Sequence, residues 1–413
     1  MRASGGVGVV AETESVPVSH FAPESRPMPV PPPLPLPLYL LALAVFAMGT
    51  SEFMPAGLLP DLAADLGVSV GTAGTLASAF ALGMAAGAPL MAVWARWWPR
   101  RAGLFGFVAV FALAHAVGAL TGSFAVLFAT RVVAALANAG FLALAVATAA
   151  ALVAPDRKGR ALGVLLSGTT AATVVGVPAG ALLGQLLDWR AAFWAVAALC
   201  VPAAAGVLLG VPAGADGSGA PPLRAELAQL GRPRLWLTLL TAALVNAATF
   251  GAFTFLAPVV TGPAGLGRGW VPVVLVLFGA GTFLGVGVAG RLADTRSRRV
   301  LAVGGPLLLL GWPALAAGAG RPAVLLPLVP LLGALSFAVG ATLITRALYE
   351  ASGAPTMAGG YATAALNLGA AAGPLLAAGT LPSATGPFRS AALLVGAALL
   401  LGGLGRAWVL PRN

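Results

Sequence analysis

Twelve runs of about twenty apolar residues, separated by short polar or basic segments, constrain this chain more than any other feature. A helix rises 1.5 Å per residue, so about twenty residues cross the roughly 30 Å hydrocarbon core of a bilayer. The runs predict spanning helices near 38–60, 70–94, 103–122, 124–153, 161–186 and 191–211. A second set follows near 235–261, 270–291, 300–319, 322–346, 357–380 and 387–408. With 59% hydrophobic and only 8% charged residues, the chain lacks the polar coat of a soluble globule. Within lipid each backbone N–H and C=O must be bonded inside its own segment, so the runs are helices and the fold class is an all-α polytopic membrane protein.

The formal charge of +11 raises nucleic acid as a partner, but the placement of the basic residues argues against it. With both termini cytoplasmic, Arg96, Arg100, Arg101, Arg157, Lys158, Arg160, Arg224, Arg232, Arg234, Arg291, Arg296, Arg298, Arg299, Arg346, Arg406 and Arg412 all fall on the inner side, together with Arg2 and Arg26. Only Arg190, Arg268, Arg321 and Arg389 fall outside, and Arg131 lies within a run. This is the positive-inside distribution, so the basic loops set topology and no nucleic-acid partner is expected. The single cysteine, Cys200, excludes an intrachain disulfide and a thiol cluster for metal. Of the two histidines, His20 lies in the tail and His115, alone in the third run, reads as a packing residue.

Residues 1–34, rich in Pro, Ser and Gly, read as a disordered cytoplasmic leader or as the product of a mis-assigned start codon. Segment 212–234 reads as a cytoplasmic linker between six-helix bundles at 35–211 and 235–413. The bundles are repeats, because one offset places Pro60 on Pro258, Arg100-Arg101 on Arg298-Arg299, and Gly176 within one residue of Gly373-Pro374. Parallel six-helix repeats with a binding site between them at mid-membrane resemble the architecture of the major facilitator superfamily.

Polar residues inside the runs carry the functional reading. Glu52, within Gly49-Thr50-Ser51-Glu52-Phe53, is the only acid well inside a run. An ionised carboxylate in hydrocarbon costs several kcal/mol, so such a residue faces a polar cavity, finds a partner or carries protons. The bland reading is a packing hydrogen bond made by a permanently protonated side chain. Arg131 must pair or snorkel, and Glu52 is its obvious partner; a structural bond to a backbone carbonyl is the alternative. Asn138, seven residues on, shares the face of Arg131. Asp61 lies about 13 Å beyond Glu52 if the first helix is straight, which puts it at the outer mouth as a proton relay or a helix-end group.

After the eighth run the chain reads Gly287-Val288-Ala289-Gly290-Arg291-Leu292-Ala293-Asp294-Thr295-Arg296-Ser297-Arg298-Arg299. Small residues permit close helix approach, Asp294 can pair with a neighbouring helix, and Arg291 and Arg298 anchor the inner face. This resembles the superfamily's signature loop; the corresponding loop after the second run departs from it, with Ala95 near the place of the acid. Gly176-Val177-Pro178-Ala179-Gly180 resembles the antiporter glycine-proline motif, which supplies a kink and a smooth surface where the halves meet. Gly49-Thr50-Ser51-Glu52-Phe53 with Gly57-Leu58-Leu59-Pro60-Asp61, Gly87-Ala88-Pro89-Leu90, Asn138-Ala139-Gly140-Phe141, Gly176-Val177-Pro178 and Asp188-Trp189-Arg190-Ala191-Ala192-Phe193-Trp194 look like the actinobacterial chloramphenicol-efflux branch of the drug:proton antiporters.

The resemblance implies a proton-coupled exporter of a small amphiphilic drug. It would work by alternating access in a bacterial cell membrane, as a monomer with both termini cytoplasmic and without a cofactor or metal. Glu52 would carry the proton with Arg131 and Asp61 beside its path. Asn138, Asn246, Phe250 and Phe253 are the candidate substrate contacts, amides for hydrogen bonds and rings for an apolar body; the phenylalanines read equally as lipid-facing or core residues. Export of a sugar, a nucleoside or a self-made antibiotic is the alternative. A membrane-embedded enzyme would need a catalytic cluster that these runs lack, and a passive channel would need neither the lone acid nor two repeated halves.

Overall fold

A computed structural model of the chain describes residues 34–94, 98–154, 157–212, 223–354, 357–383 and 385–409. The expected leader, apart from Leu34, and residues 213–222 of the expected linker lie outside these, as does Ala95. Among the described residues twelve helices are long and apolar enough to span a membrane. They are α1 Leu36–Phe53, α2 Val70–Trp94, α3 Arg100–Leu120, α4 Phe124–Ala151, α5 Lys158–Leu186 and α6 Trp189–Gly210, followed by α7 Pro233–Thr254, α8 Trp270–Leu292, α9 Arg296–Gly318, α10 Pro322–Glu350, α11 Ala358–Ala378 and α12 Gly386–Val409.

The first run departs from the expectation of a single helix ending near Pro60. The helix breaks at Met54, and a second segment, Pro55–Asp65, continues with Pro60 inside it at the outer end of the bundle, the end that the arginine distribution assigns to the outside, the opposite end being the inner one. Proline tolerates the first helical position because its missing N–H would have been unpaired there anyway. The Met54 N–H still donates to the Thr50 carbonyl at 2.9 Å and that of Gly57 to the Met54 carbonyl at 3.0 Å, so the break leaves little backbone unbonded. The second repeat does the same: α7 ends at Thr254 and an outer segment, Leu256–Thr261, follows. On the inner side, a non-helical Arg296 (φ −132°, ψ 26°) turns the chain from α8 into α9.

Packing relies on small residues. Gly281 and Gly285 of α8 lie against the backbone carbonyls of Pro330 and Ala334 in α10, where any Cβ would clash. Close backbone approach of this kind replaces the hydrophobic driving force that is absent between helices in lipid. Between the two repeats, α2 runs along α11, and the Ser78 hydroxyl donates to the Ala371 carbonyl at 2.7 Å. Gly279 of α8 presses on the backbone of Thr173 and Val174 in α5. Ala56, Val177 and Ala181 of the first repeat join the apolar core of the second. The inner half of α5 packs instead on α1 and α4 of its own repeat, so the α5–α8 seam is closed on the outer side, whereas α2 and α11 stay together as far in as Pro89 and Gly360. The lone thiol, Cys200, is buried in α6.

Candidate functional site

The proline that opens the outer segment of α1 also builds the site. In a continuous helix the Ser51 carbonyl would accept from the N–H four residues on, but that residue is Pro55, which has none. Arg131 supplies the missing donor from α4. Its Nη2 donates to the Ser51 carbonyl at 2.7 Å and its Nη1 to the Ser51 hydroxyl at 2.7 Å, with a longer approach of 3.5 Å to the Glu52 carbonyl. The guanidinium is 1% exposed and lies 4.5 Å from the centre of the Phe80 ring. The direct Glu52 side-chain pairing expected from sequence is therefore not the hydrogen-bonded arrangement. Backbone left unpaired by Pro55 claims the donors, and toward Glu52 the guanidinium reaches only the backbone carbonyl.

His115 completes this arrangement and is more than the packing residue read from sequence. Its Nδ1 lies 2.8 Å from the Phe111 carbonyl, which can only accept, so Nδ1 carries the proton. In the neutral ring Nε2 then accepts from the Ser51 hydroxyl at 2.6 Å, while the same oxygen accepts from Arg131. Phe111, His115, Ser51 and Arg131 thus form one directed hydrogen-bond chain through α3, α1 and α4. The signal was present in sequence only as a polar residue in the third run.

Glu52 stands beside this chain, half-buried one residue before the end of α1. Among the described residues nothing hydrogen-bonds to its carboxylate. Among the described residues six buried side-chain polar atoms have no partner, and three of them, Thr50 Oγ1, Arg131 Nε and Asn138 Oδ1, belong to α1 and α4. Asn138 is 2% exposed, and its amide reaches only the Met84 sulfur, a weak acceptor, at 3.5 Å. Buried polar groups are ordinarily bonded, so the open Asn138 carbonyl oxygen is spare hydrogen-bonding capacity on α4.

Across the interface the wall is aromatic. Phe250 of α7 stacks on Phe53 of α1 with centroids 5.4 Å apart, and Phe253 meets Phe53 and Phe250 edge-on. Phe253 also lies 4.7 Å from Phe278, which reaches Phe337. Phe250 and Phe253 therefore sit in an interface cluster, not toward lipid. Phe53, Phe278 and Phe337 were absent from the sequence-based set because aromatic character alone does not separate a shared wall from a core. Asn246 is half-buried; its amide donates to the Leu366 carbonyl at 2.7 Å and ties α7 to α11.

Other candidates lie away from this centre. Asp61 forms an ion pair with Arg268 of the second repeat on the outer side, and Gln185 donates to the Arg268 carbonyl at 2.9 Å. Nearby, Asp65 pairs with Arg190 at 2.7 Å and accepts from Trp189 at 3.1 Å; the Arg190 guanidinium holds its carboxyl below the usual range. The kink expected around Gly176, Pro178 and Gly180 is present as a π-helical turn at Ala172–Gly176. The stretch lies where the halves meet, with Thr173 and Val174 against Gly279 of α8, while Gly176 meets Thr50 and Gly180 approaches Met54 within the first repeat. Val177 and Ala181, each next to one of these glycines, pack into the core of the second repeat. Arg291 and Arg298 are exposed at the inner ends of α8 and α9, and the side chain of Asp294 lies outside the described residues.

Twelve spanning helices in two bundles, an acid within a spanning helix and an aromatic cluster where the bundles meet define a twelve-helix membrane transporter of small molecules. The chain belongs to the Major Facilitator Superfamily, whose profile matches residues 41–360. It is 69% identical over 364 residues to the chloramphenicol resistance protein of Streptomyces lividans, covering 87% of this chain and 93% of that one. It is 34% identical over 365 residues to the inner membrane transport protein YdhP of Escherichia coli, covering 86% and 92%. Among solved structures, the nucleoside transporter NupG shares the fold with a TM-score of 0.72 at 14% identity, covering 91% of this chain and 99% of that one. A bacterial homologue of the human lysosomal transporter Spinster, inward-facing and occupied, does so with a TM-score of 0.67 at 19% identity, covering 89% and 94%.

Proposed function

We propose that this protein exports chloramphenicol, or a neutral amphiphile of similar size, in exchange for protons. The observation that carries the reading is Glu52: an acid with no hydrogen-bond partner among the described residues, beside a fixed arginine and one residue from the aromatic cluster. Similarity to a chloramphenicol resistance protein over most of both chains supports the drug class. In this reading Glu52 takes a proton when the site faces outward and releases it inward, with Arg131 biasing the exchange as the surroundings change. Phe250 and Phe253 flank the apolar body of the drug, and Asn138 and Asn246 offer unused amide oxygens to its polar groups. The Asp61–Arg268 pair latches the outer side, and Asp294 with Arg291 and Arg298 serves the inner one.

The reading places the protein in a bacterial cell membrane as a monomer with both termini inside and no cofactor, since proton and drug groups come from one chain. If a neutral drug leaves as one proton enters, net charge crosses, and the membrane potential contributes about 2.3 kcal/mol per 100 mV. Drug-induced proton movement in vesicles tests the reading with wild-type and Glu52→Gln protein at matched expression. Proton movement by the wild type that is absent in the variant is expected. Normal coupled exchange by the variant would assign Glu52 a structural role.

A further inference from the structure

The second repeat contains a cavity of about 860 Å³ at its inner end, bounded by α7, α9, α10 and α12 and apart from the interface site. Four arginines, Arg234, Arg298, Arg299 and Arg346, are among the residues that line it. None makes a hydrogen bond or ion pair to a described residue. The acid in the wall, Glu350, accepts instead from the Thr238 hydroxyl at 2.7 Å. Topology requires basic residues on this face but does not require four of them to converge on one space, where like charges repel.

Depth narrows the ligand. From Arg234 to Val245 along α7, and from Arg346 to Val339 along α10, the lining changes from charged to apolar over about 10–16 Å at 1.5 Å per residue. That is close to one leaflet of a roughly 30 Å hydrocarbon core. At the mouth, a methyl built on Gly402 or Gly403 meets no described atom within 4 Å, so α12 leaves that edge unobstructed. A small soluble anion would use the charged end and leave the apolar depth empty. An amphiphile with a phosphate at one end and a hydrocarbon chain below it matches both.

We propose that this cavity holds an anionic phospholipid of the inner leaflet, with its phosphate among the four guanidiniums and an acyl chain against α7 and α10. The site is independent of drug and proton, so its test uses no transport. Purified full-length protein in mild detergent is examined by native mass spectrometry and thermal melting with dioleoyl phosphatidylglycerol, dioleoyl phosphatidylcholine or inorganic phosphate. Phosphatidylglycerol should remain bound through washing and raise the melting midpoint, and the other two should not. Together Arg234→Gln, Arg299→Gln and Arg346→Gln should weaken phosphatidylglycerol binding about a hundredfold, at about fivefold per guanidinium. A charge-matched variant with Arg101→Gln, Arg160→Gln and Arg224→Gln should retain it. Equal loss in both triple variants would reduce the effect to surface charge and overturn the site. Equal protection by inorganic phosphate or by phosphatidylcholine would overturn the lipid. If the cavity triple fails to fold, Arg346→Gln alone decides: about fivefold weaker binding supports the site, and unchanged affinity rejects it.

Discussion

The two repeats share a scaffold and differ in what they place at equivalent depth. The offset that superposes their arginine loops sets Glu52 against Phe250, Arg131 against Val329 and Asn138 against Ser336. The first repeat thus holds its centre with charge and directed hydrogen bonds, while the second fills the same level with Phe250, Phe253, Phe278 and Phe337. Both have a broken helix opposite the other, at Met54 and at Phe255, so the backbone device was kept while the side chains diverged. In the proposed function, proton chemistry belongs to the wall of the first repeat and an apolar surface to the facing one.

That division predicts opposite outcomes from equivalent positions. The largest effect is expected at Glu52, where Glu52→Gln should abolish proton-driven export while drug binding, read by equilibrium dialysis, stays within about twofold, because uniform contacts to the drug remain. Arg131→Ala should come next. It leaves the Ser51 carbonyl unpaired and removes two charged hydrogen bonds, a destabilisation of about 3 kcal/mol that should appear as a lower melting midpoint together with lost export. Phe250→Ala should weaken drug binding about tenfold through lost stacking and contact area, yet leave the ratio of protons to drug unchanged. Loss of coupling in Phe250→Ala, or of binding alone in Glu52→Gln, would break the assignment of walls. His115→Ala should cost about 1 kcal/mol, seen as a few-fold slower export, because Ser51 loses an acceptor while keeping its arginine. The smallest change is expected for Asp61→Asn, less than about fivefold in export rate, since an exposed ion pair contributes at most about 1 kcal/mol.

Much of this was legible from composition and spacing. Apolar length located all twelve spans, because bilayer thickness leaves a helix little latitude, and missed mainly the breaks after Phe53 and Thr254, where runs read to 60 and 261. Glu52 and Arg131 stood out because charge in hydrocarbon is rare. Their relation was not legible, since the nearest opposite charge is a natural guess for a guanidinium, whereas its donors were claimed by a carbonyl that Pro55 had left free. The deciding residue was visible four positions beyond Ser51, but Pro60 looked like the helix end, and a proline can sit inside a helix when neighbours compensate. The proton position on His115 depends on the Phe111 carbonyl one turn back and on Ser51 from another helix, so a one-dimensional reading saw only an isolated imidazole. Likewise, Glu226 in the short linker helix Leu223–Leu227 is 1% exposed and accepts from the Met357 N–H at 2.7 Å, a docking that a polar loop does not announce.

The burial of Cys200 in α6 has a practical consequence for watching the molecule move. At 1% exposure the native thiol is shielded from water-borne maleimides and methanethiosulfonates, so the wild-type chain can serve as its own unlabelled background. Cysteines introduced at the exposed positions Ala64 and Gly267, one on each repeat beside the Asp61–Arg268 pair, would take up spin labels without any other residue being replaced. Electron paramagnetic resonance would then report the separation of the two outer lips directly, and adding drug or acid would show which of them parts the lips.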